Sequence, residues 1–130
     1  MAVRAAPLMP NGGAMIALSY YGAEKAVPGY NVMGVAKAAL EATNRYIAME
    51  LGEKQIRANV ISGGPLKTLS AMAVGGFGDI LGWVEQKAPL RRNITGEEVG
   101  DTALFLLSDL SKGITGQCIY VDAGYSTIGL

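Results

Sequence analysis

Tyr30 and Lys37 stand seven residues apart at the start of a long, alanine-rich segment. At roughly 100° per residue this spacing is close to two helical turns. Both side chains then project from one face, about 10 Å apart along the axis. A phenol and an ammonium so placed could flank one ligand. Lys37 lies among Gly34, Val35, Ala36, Ala38, Ala39 and Leu40, where a charge needs a partner or a ligand. The same spacing also suits a lysine snorkelling from an apolar helix, with Tyr30 packing at its start.

Two further features point to the same rim. Tyr20 and Tyr21 close an apolar run that reads as a strand. Ligands of open α/β sheets bind just outside the carboxyl ends of strands. Gly63, Gly64, Pro65, Leu66, Lys67 and Thr68 follow a second such run. The paired glycines let backbone approach a ligand, and the Thr68 hydroxyl can bond a phosphate or amide. Alternatively, the tyrosines are aromatic plugs at a sheet edge and the glycine pair an ordinary loop.

The elements that must position these residues follow from the hydrophobic pattern. Met1 to Met9 reads as the tail of a helix, stopped at Pro10-Asn-Gly-Gly13. Ala14 to Tyr20 is an almost unbroken apolar run, predicting a strand buried on both faces. After a loop carrying Gly22, Pro28 and Gly29, a long helix opens at Tyr30 or Asn31 and runs to about Leu51, with Gly52 as its C-terminal cap. Ile56 to Ser62 predicts a second buried strand. Leu66 to Pro89 is irregular, with weak helical pattern over Thr68 to Val74 and Ile80 to Lys87. Thr95 and Glu98 form a capping box that starts a helix ending near Leu107. Gln117 to Val121 predicts a third strand. Strands alternating with helices argue for an α/β fold with a parallel sheet and crossover helices. Three strands make a narrow sheet, so the pattern matches half of a doubly wound fold. No Gly-x-Gly-x-x-Gly turn follows a strand.

Composition narrows the chemistry. The 130 residues are one domain at most, and half of them are hydrophobic. Eleven basic residues balance eleven acidic ones, so no charge excess points to nucleic acid or an anionic membrane. Without histidine, a histidine-based triad, general base or metal site is excluded. The single Cys118 excludes an internal disulfide and a cysteine-cluster metal site, and fits a reducing compartment. No segment approaches the roughly 20 apolar residues that span a bilayer. The 18 glycines are about twice the usual share, which suits tight turns and close backbone approaches.

The segment Ser19-Tyr-Tyr-Gly-Ala-Glu-Lys-Ala-Val-Pro-Gly-Tyr-Asn-Val-Met-Gly-Val-Ala-Lys37 closely resembles the active-site segment of bacterial NADH-dependent enoyl-acyl-carrier-protein reductases. These are divergent short-chain dehydrogenases/reductases, whose branch spaces the tyrosine and lysine by six residues rather than three. Ile56 to Leu69, Pro89 to Thr95, Glu98 to Gly100 and Val121 to Tyr125 match as well, so the resemblance covers essentially the whole chain. It implies the C-terminal half of a Rossmann-like doubly wound parallel sheet over residues 1–130, with the N-terminal dinucleotide-clamp half absent. It implies Tyr30 as donor to the thioester carbonyl of a trans-2-enoyl substrate, with Tyr20 as the second active-site tyrosine. Lys37 would hold the nicotinamide ribose of NADH. Pro65, Leu66, Lys67, Thr68, Leu69 and Ser70 would line the nicotinamide end and its phosphate. Met33, Phe77 and Ile80 would contact the acyl chain. Lys67 and Ser70 depart from the arginine or alanine of many relatives.

The implied enzyme is cytoplasmic and homotetrameric, and takes its substrate as an acyl carrier protein thioester. Two other readings stand beside it. One is a nonenzymatic remnant that associates with a full-length relative. The other is a ketone reductase of the same superfamily, against which the Tyr30–Lys37 spacing and Tyr20 argue.

Overall fold

The computed structural model describes residues 1–68 and 77–128, with Phe77 described by its backbone alone. Three strands form one parallel sheet in the order β1 (Gly13–Tyr20), β2 (Ile56–Gly63) and β3 (Cys118–Val121). Helices α1 (Ala2–Ala5), α2 (Asn31–Leu51), α3 (Phe77–Lys87) and α4 (Gly96–Leu107) surround or precede them. The expected alternation is therefore present. Among the described residues, no helix is long and apolar enough to cross a membrane.

β2 is the central strand, and its composition explains why. Ile56, Ala58, Val60 and Ile61 are each at most 2% exposed. Full burial of such a Val or Ile side chain is worth roughly 1.5–3 kcal/mol. The polar interruptions are answered locally. Asn59 donates to the Ile114 carbonyl (2.9 Å) and accepts from the Gln117 amide (3.0 Å), which ties β2 to the turn entering β3. Arg57 donates to the carbonyls of Leu106 (2.8 Å) and Ser108 (3.0 Å), closing the C-terminal end of α4.

β1 departs from expectation. Most of it is only half-buried and Leu18 is 54% exposed, and among the described residues β1 lies at an edge of the sheet. Gly52 stands at the expected C-terminal cap position, though not in the left-handed conformation common there. It keeps helical angles (φ −59°), the chain continues through a 3-10 turn over Gly52–Lys54, and Gln55 takes the left-handed conformation (φ 57°). α3 begins at Phe77, three residues ahead of the Ile80 start that the pattern predicts. The capping box forms as expected: Glu98 N donates to Thr95 Oγ1, and Glu98 Oε2 accepts from Thr95 N at 2.8 Å. Arg92 adds a two-pronged contact to Glu98 at 2.9 and 2.6 Å.

The two longer flanking helices meet opposite sheet faces. Ser19 turns toward α2, donating to Glu41. The next residue along, Tyr20, pairs with Gly63, and a side chain built at Gly63 would point at Val99 of α4. Successive strand residues face opposite sides. A separate apolar cluster of Val84, Ala88, Ile94 and Ala123, with Leu66 and Ile80 packed on it, joins α3 to the loop after β3.

Candidate active site

The C-terminal ends of β1 and β2 lie side by side, with Tyr20 in register with Gly63. Tyr30 caps the N-terminus of α2 and returns to the same place. Its ring meets Tyr20 edge-on, with centroids 4.9 Å apart and planes at 65°. Sharp local geometry makes that return possible. Asn31, the first residue of α2, has φ 28°, a conformation that asparagine tolerates better than most residues.

Two glycines make room for the Tyr30 ring. A Cβ at Gly22 would lie 2.4 Å from Tyr30 Cδ1, and one at Gly34 would lie 2.7 Å from the Gly22 carbonyl oxygen. Gly22 thus serves as the floor on which the phenol rests, a role that no local pattern in the sequence announces.

Lys37 sits two turns into α2 and donates from Nζ to the Leu18 carbonyl at 2.8 Å. An ammonium carries three protons. With one on Leu18, two remain for a ligand's hydroxyls. The lysine is therefore anchored rather than merely snorkelling. Burial raises the Tyr30 phenol above its ordinary value. Tyr20 is raised too, first by burial and then by Tyr125 and Tyr30. Both remain protonated at neutral pH, so both are hydrogen-bond donors there. A third tyrosine group borders the rim. Tyr21 lies edge-on to Tyr120 (6.4 Å) and Tyr125 (5.9 Å), and the Tyr120 hydroxyl donates to Glu24 at 2.5 Å.

Other expected site residues are spread more widely. Pro65 is buried, Leu66 packs on the apolar cluster, and Lys67 and Thr68 are exposed beyond the end of β2. Met33 is half-exposed on the first turn of α2. Ile80 packs on the Val84 cluster. Leu69, Ser70 and the side chain of Phe77 lie outside the described residues. A cleft of about 340 Å³ runs beside Tyr30, between Gly22, Glu24 and Val27 on one wall and Gly34 and Ala38 on the other. A second cleft of about 560 Å³ lies away from Tyr30, between Arg92, Glu98, Tyr120 and Thr127.

The donor set fits a nicotinamide nucleotide. It offers a fixed ammonium for vicinal hydroxyls and neutral phenols for a carbonyl oxygen. Among the described residues, no group of three or more His, Cys, Asp or Glu residues could hold a metal ion.

Parallel strands joined by a helical crossover, with Tyr30 and Lys37 at the start of that helix, define a Rossmann-like α/β fold. The family profile described as enoyl-(acyl carrier protein) reductase matches residues 1–126, and the chain belongs to that family. It is 61% identical over 126 residues to enoyl-[acyl-carrier-protein] reductase [NADH] FabI of Nostoc sp., covering 97% of this chain and 49% of that protein. It is 56% identical over 128 residues to the [NADPH] FabI of Staphylococcus aureus, covering 98% of this chain and 50% of that one. The crystal structure of the Bacillus cereus enoyl-acyl carrier protein reductase with NADP+ and indole naphthyridinone superimposes with a TM-score of 0.97 at 55% identity, over 99% of this chain and 50% of that one. The reductase from Anaplasma phagocytophilum in complex with NAD gives 0.94 at 55% identity, over 99% and 49%. The chain thus spans about half the length of these relatives.

Proposed function

We propose that this chain supplies the catalytic half of a cytoplasmic enoyl-[acyl-carrier-protein] reductase that uses NADH to reduce the trans-2 double bond of acyl-carrier-protein thioesters in fatty-acid elongation. The observation that carries this reading is the joint placement of Tyr20, Tyr30 and Lys37 at the carboxyl ends of parallel strands, with Lys37 anchored on Leu18.

When bound, NADH supplies the hydride that adds at C3 of the enoyl thioester. Tyr30 donates its hydroxyl to the thioester carbonyl, where negative charge grows as the double bond is reduced. A fixed donor aimed at developing charge favours the transition state over the ground state. The raised Tyr30 phenol keeps its proton and holds that bond over the working pH range. Tyr20 supports the ring from its edge and borders the substrate. Lys37 uses its two remaining protons on the nicotinamide ribose. Pro65 to Ser70 line the nicotinamide end, and Met33, Phe77 and Ile80 meet the acyl chain. The family includes NADH and NADPH enzymes; the NADH reading follows the Nostoc and Rhizobium meliloti relatives.

Assembly as a homotetramer through α2 is part of this reading. Val32, Val35, Tyr46 and Met49 of α2 are exposed apolar residues, and a face of that kind suits burial against another chain. The same face and the open edge of β1 also support the second reading, a nonenzymatic remnant that pairs with a full-length relative. The chain alone, with half the relatives' length, is expected to be inactive as a reductase.

Dinucleotide binding decides between the readings. NADH and NADPH are titrated into this chain alone and into the chain extended upstream to its relatives' length. Stoichiometric NADH binding by the extended enzyme only is the expected result. No binding by either leaves the remnant reading standing. Tight binding by the chain alone overturns the expectation that it lacks the cofactor clamp.

A further inference from the structure

α2 grips two consecutive residues of β1 with two of its own residues one turn apart. Lys37 holds the Leu18 carbonyl (2.8 Å), and the Glu41 carboxylate accepts from Ser19 Oγ (2.5 Å). Among the described residues these are the side-chain hydrogen bonds that join α2 to β1. Tyr20 is the next residue along β1. The two bonds therefore fix the strand end that carries one active-site tyrosine against the helix start that carries the other.

The Ser19 bond is protected from water, since Ser19 is only 8% exposed. Beside it in register lies Ser62, which is 1% exposed and whose Oγ has no hydrogen-bond partner. Ser19 thus spends its proton on Glu41 rather than on the adjacent serine. Glu41 also helps raise the pKa of the Cys118 thiol on β3, after burial.

We propose that Glu41, acting through Ser19, is a positioning residue for Lys37: it holds β1 so that the Leu18 carbonyl stays under the ammonium and turns the two remaining N–H bonds toward the ribose. This inference rests on the reading of Lys37 as a ribose contact. Without the Ser19–Glu41 bond, the Lys37–Leu18 bond is left as the one side-chain tie of β1 to α2 among the described residues. A ligand competing for the ammonium then meets a lysine that is free to swing. An uncharged acceptor of the same shape preserves the arrangement, because Ser19 needs an oxygen to donate to and not a charge.

The test uses the chain extended upstream to its relatives' length. NADH dissociation constants, KM for a crotonyl thioester and urea midpoints are measured for the parent, Lys37→Ala, Ser19→Ala, Glu41→Ala, Glu41→Gln and the double variant of Ser19→Ala with Glu41→Ala. Ser19→Ala and Glu41→Ala are expected to weaken NADH binding about tenfold, as loss of one hydrogen bond to a charged group allows, with the thioester KM unchanged. The double variant should be no worse than the worse single, since both act through one bond. Glu41→Gln should stay within about twofold of the parent, a rescue that separates an acceptor's role from general packing. Should Glu41→Ala fail to fold, Ser19→Ala decides alone, because it removes one buried hydroxyl. Parental NADH binding by Ser19→Ala and Glu41→Ala, with Lys37→Ala impaired, overturns the inference and leaves the proposed function intact. Parental binding by Lys37→Ala removes the ribose contact itself, and the inference falls with it.

Discussion

Replacing Gly22 by alanine isolates the placement of Tyr30 from its chemistry. Gly22 does not have a positive φ, so its backbone accepts an alanine and the effect is steric. The added Cβ would lie 2.4 Å from Tyr30 Cδ1 and 2.8 Å from Cε1, against the 3.4 Å at which ordinary contact begins. The ring must therefore retreat by about 1 Å. It cannot move toward Tyr20 without crowding: the two centroids are already 4.9 Å apart, near the short end of the usual 4.5–7 Å range for aromatic pairs. Displacing a reacting group by about 1 Å can cost roughly 10² in rate, equivalent to about 2.7 kcal/mol in the barrier. The phenol is retained, so any loss reports geometry alone. The assay is crotonyl-thioester reduction at saturating NADH by the upstream-extended enzyme, with the NADH dissociation constant as control. The expected result is a large fall in kcat with NADH binding unchanged, because Lys37 is anchored on Leu18 and not on Tyr30. Turnover within about threefold of the parent would refute the claim that Gly22 sets the position of the phenol.

Other perturbations separate structure from chemistry. Thr95→Ala removes the cap of α4 and should destabilise by about 1 kcal/mol, read from the urea midpoint. The Glu98 carboxyl is held down from 4.5 to about 2, first by the Arg92 side chain and then by the Thr95 backbone. A depressed carboxyl stabilises above its unfolded value and loses that contribution as pH falls. The acid limb of stability should therefore flatten between about pH 4.5 and 2 in Glu98→Gln, in thermal unfolding followed across that window. The Cys118 thiol is pushed up to about 11, first by burial and then by Glu41. Iodoacetamide should label it slowly at pH 8 and faster toward pH 11, and faster at fixed pH in Glu41→Gln. Ala42→Glu on α2 should shift the extended enzyme to smaller species in sedimentation; an unchanged assembly would place the subunit contact elsewhere.

Local pattern carried much of the architecture. The apolar runs over Ala14 to Tyr20 and Ile56 to Ser62 lie where β1 and β2 form, and the Thr95–Glu98 spacing marks the start of α4. The Tyr30–Lys37 spacing points to the candidate site because helical geometry converts sequence separation directly into direction. The failures share a physical cause. Burial of β1 depends on what packs over each face of the sheet, which a run of apolar residues cannot report, and Leu18 is exposed. α2 ends at Leu51 as its pattern predicts, but a 3-10 turn over Gly52–Lys54 moves the left-handed residue from Gly52 on to Gln55. α3 starts early because Gly78 and Gly82 dilute its apolar pattern, and neither has an atom within 4 Å of where its side chain would be. The Ser19–Glu41 bond spans 22 residues and the Tyr120–Glu24 bond spans 96. Contacts of that kind exist only once the sheet has brought its strands together, and the sequence holds no periodic trace of them.

Tyr30→Phe tests the central claim most directly. It removes the hydroxyl proposed to bond the thioester carbonyl and keeps the ring that packs on Tyr20 and Gly22. Crotonyl-thioester-dependent oxidation of NADH is measured for the upstream-extended enzyme and this variant at saturating cofactor. The account predicts reduction by the parent and a fall of roughly 10²–10³ in turnover for the variant, with the NADH dissociation constant unchanged. Equal turnover by the two enzymes, or no thioester-dependent oxidation by a parent that binds NADH stoichiometrically, would contradict it.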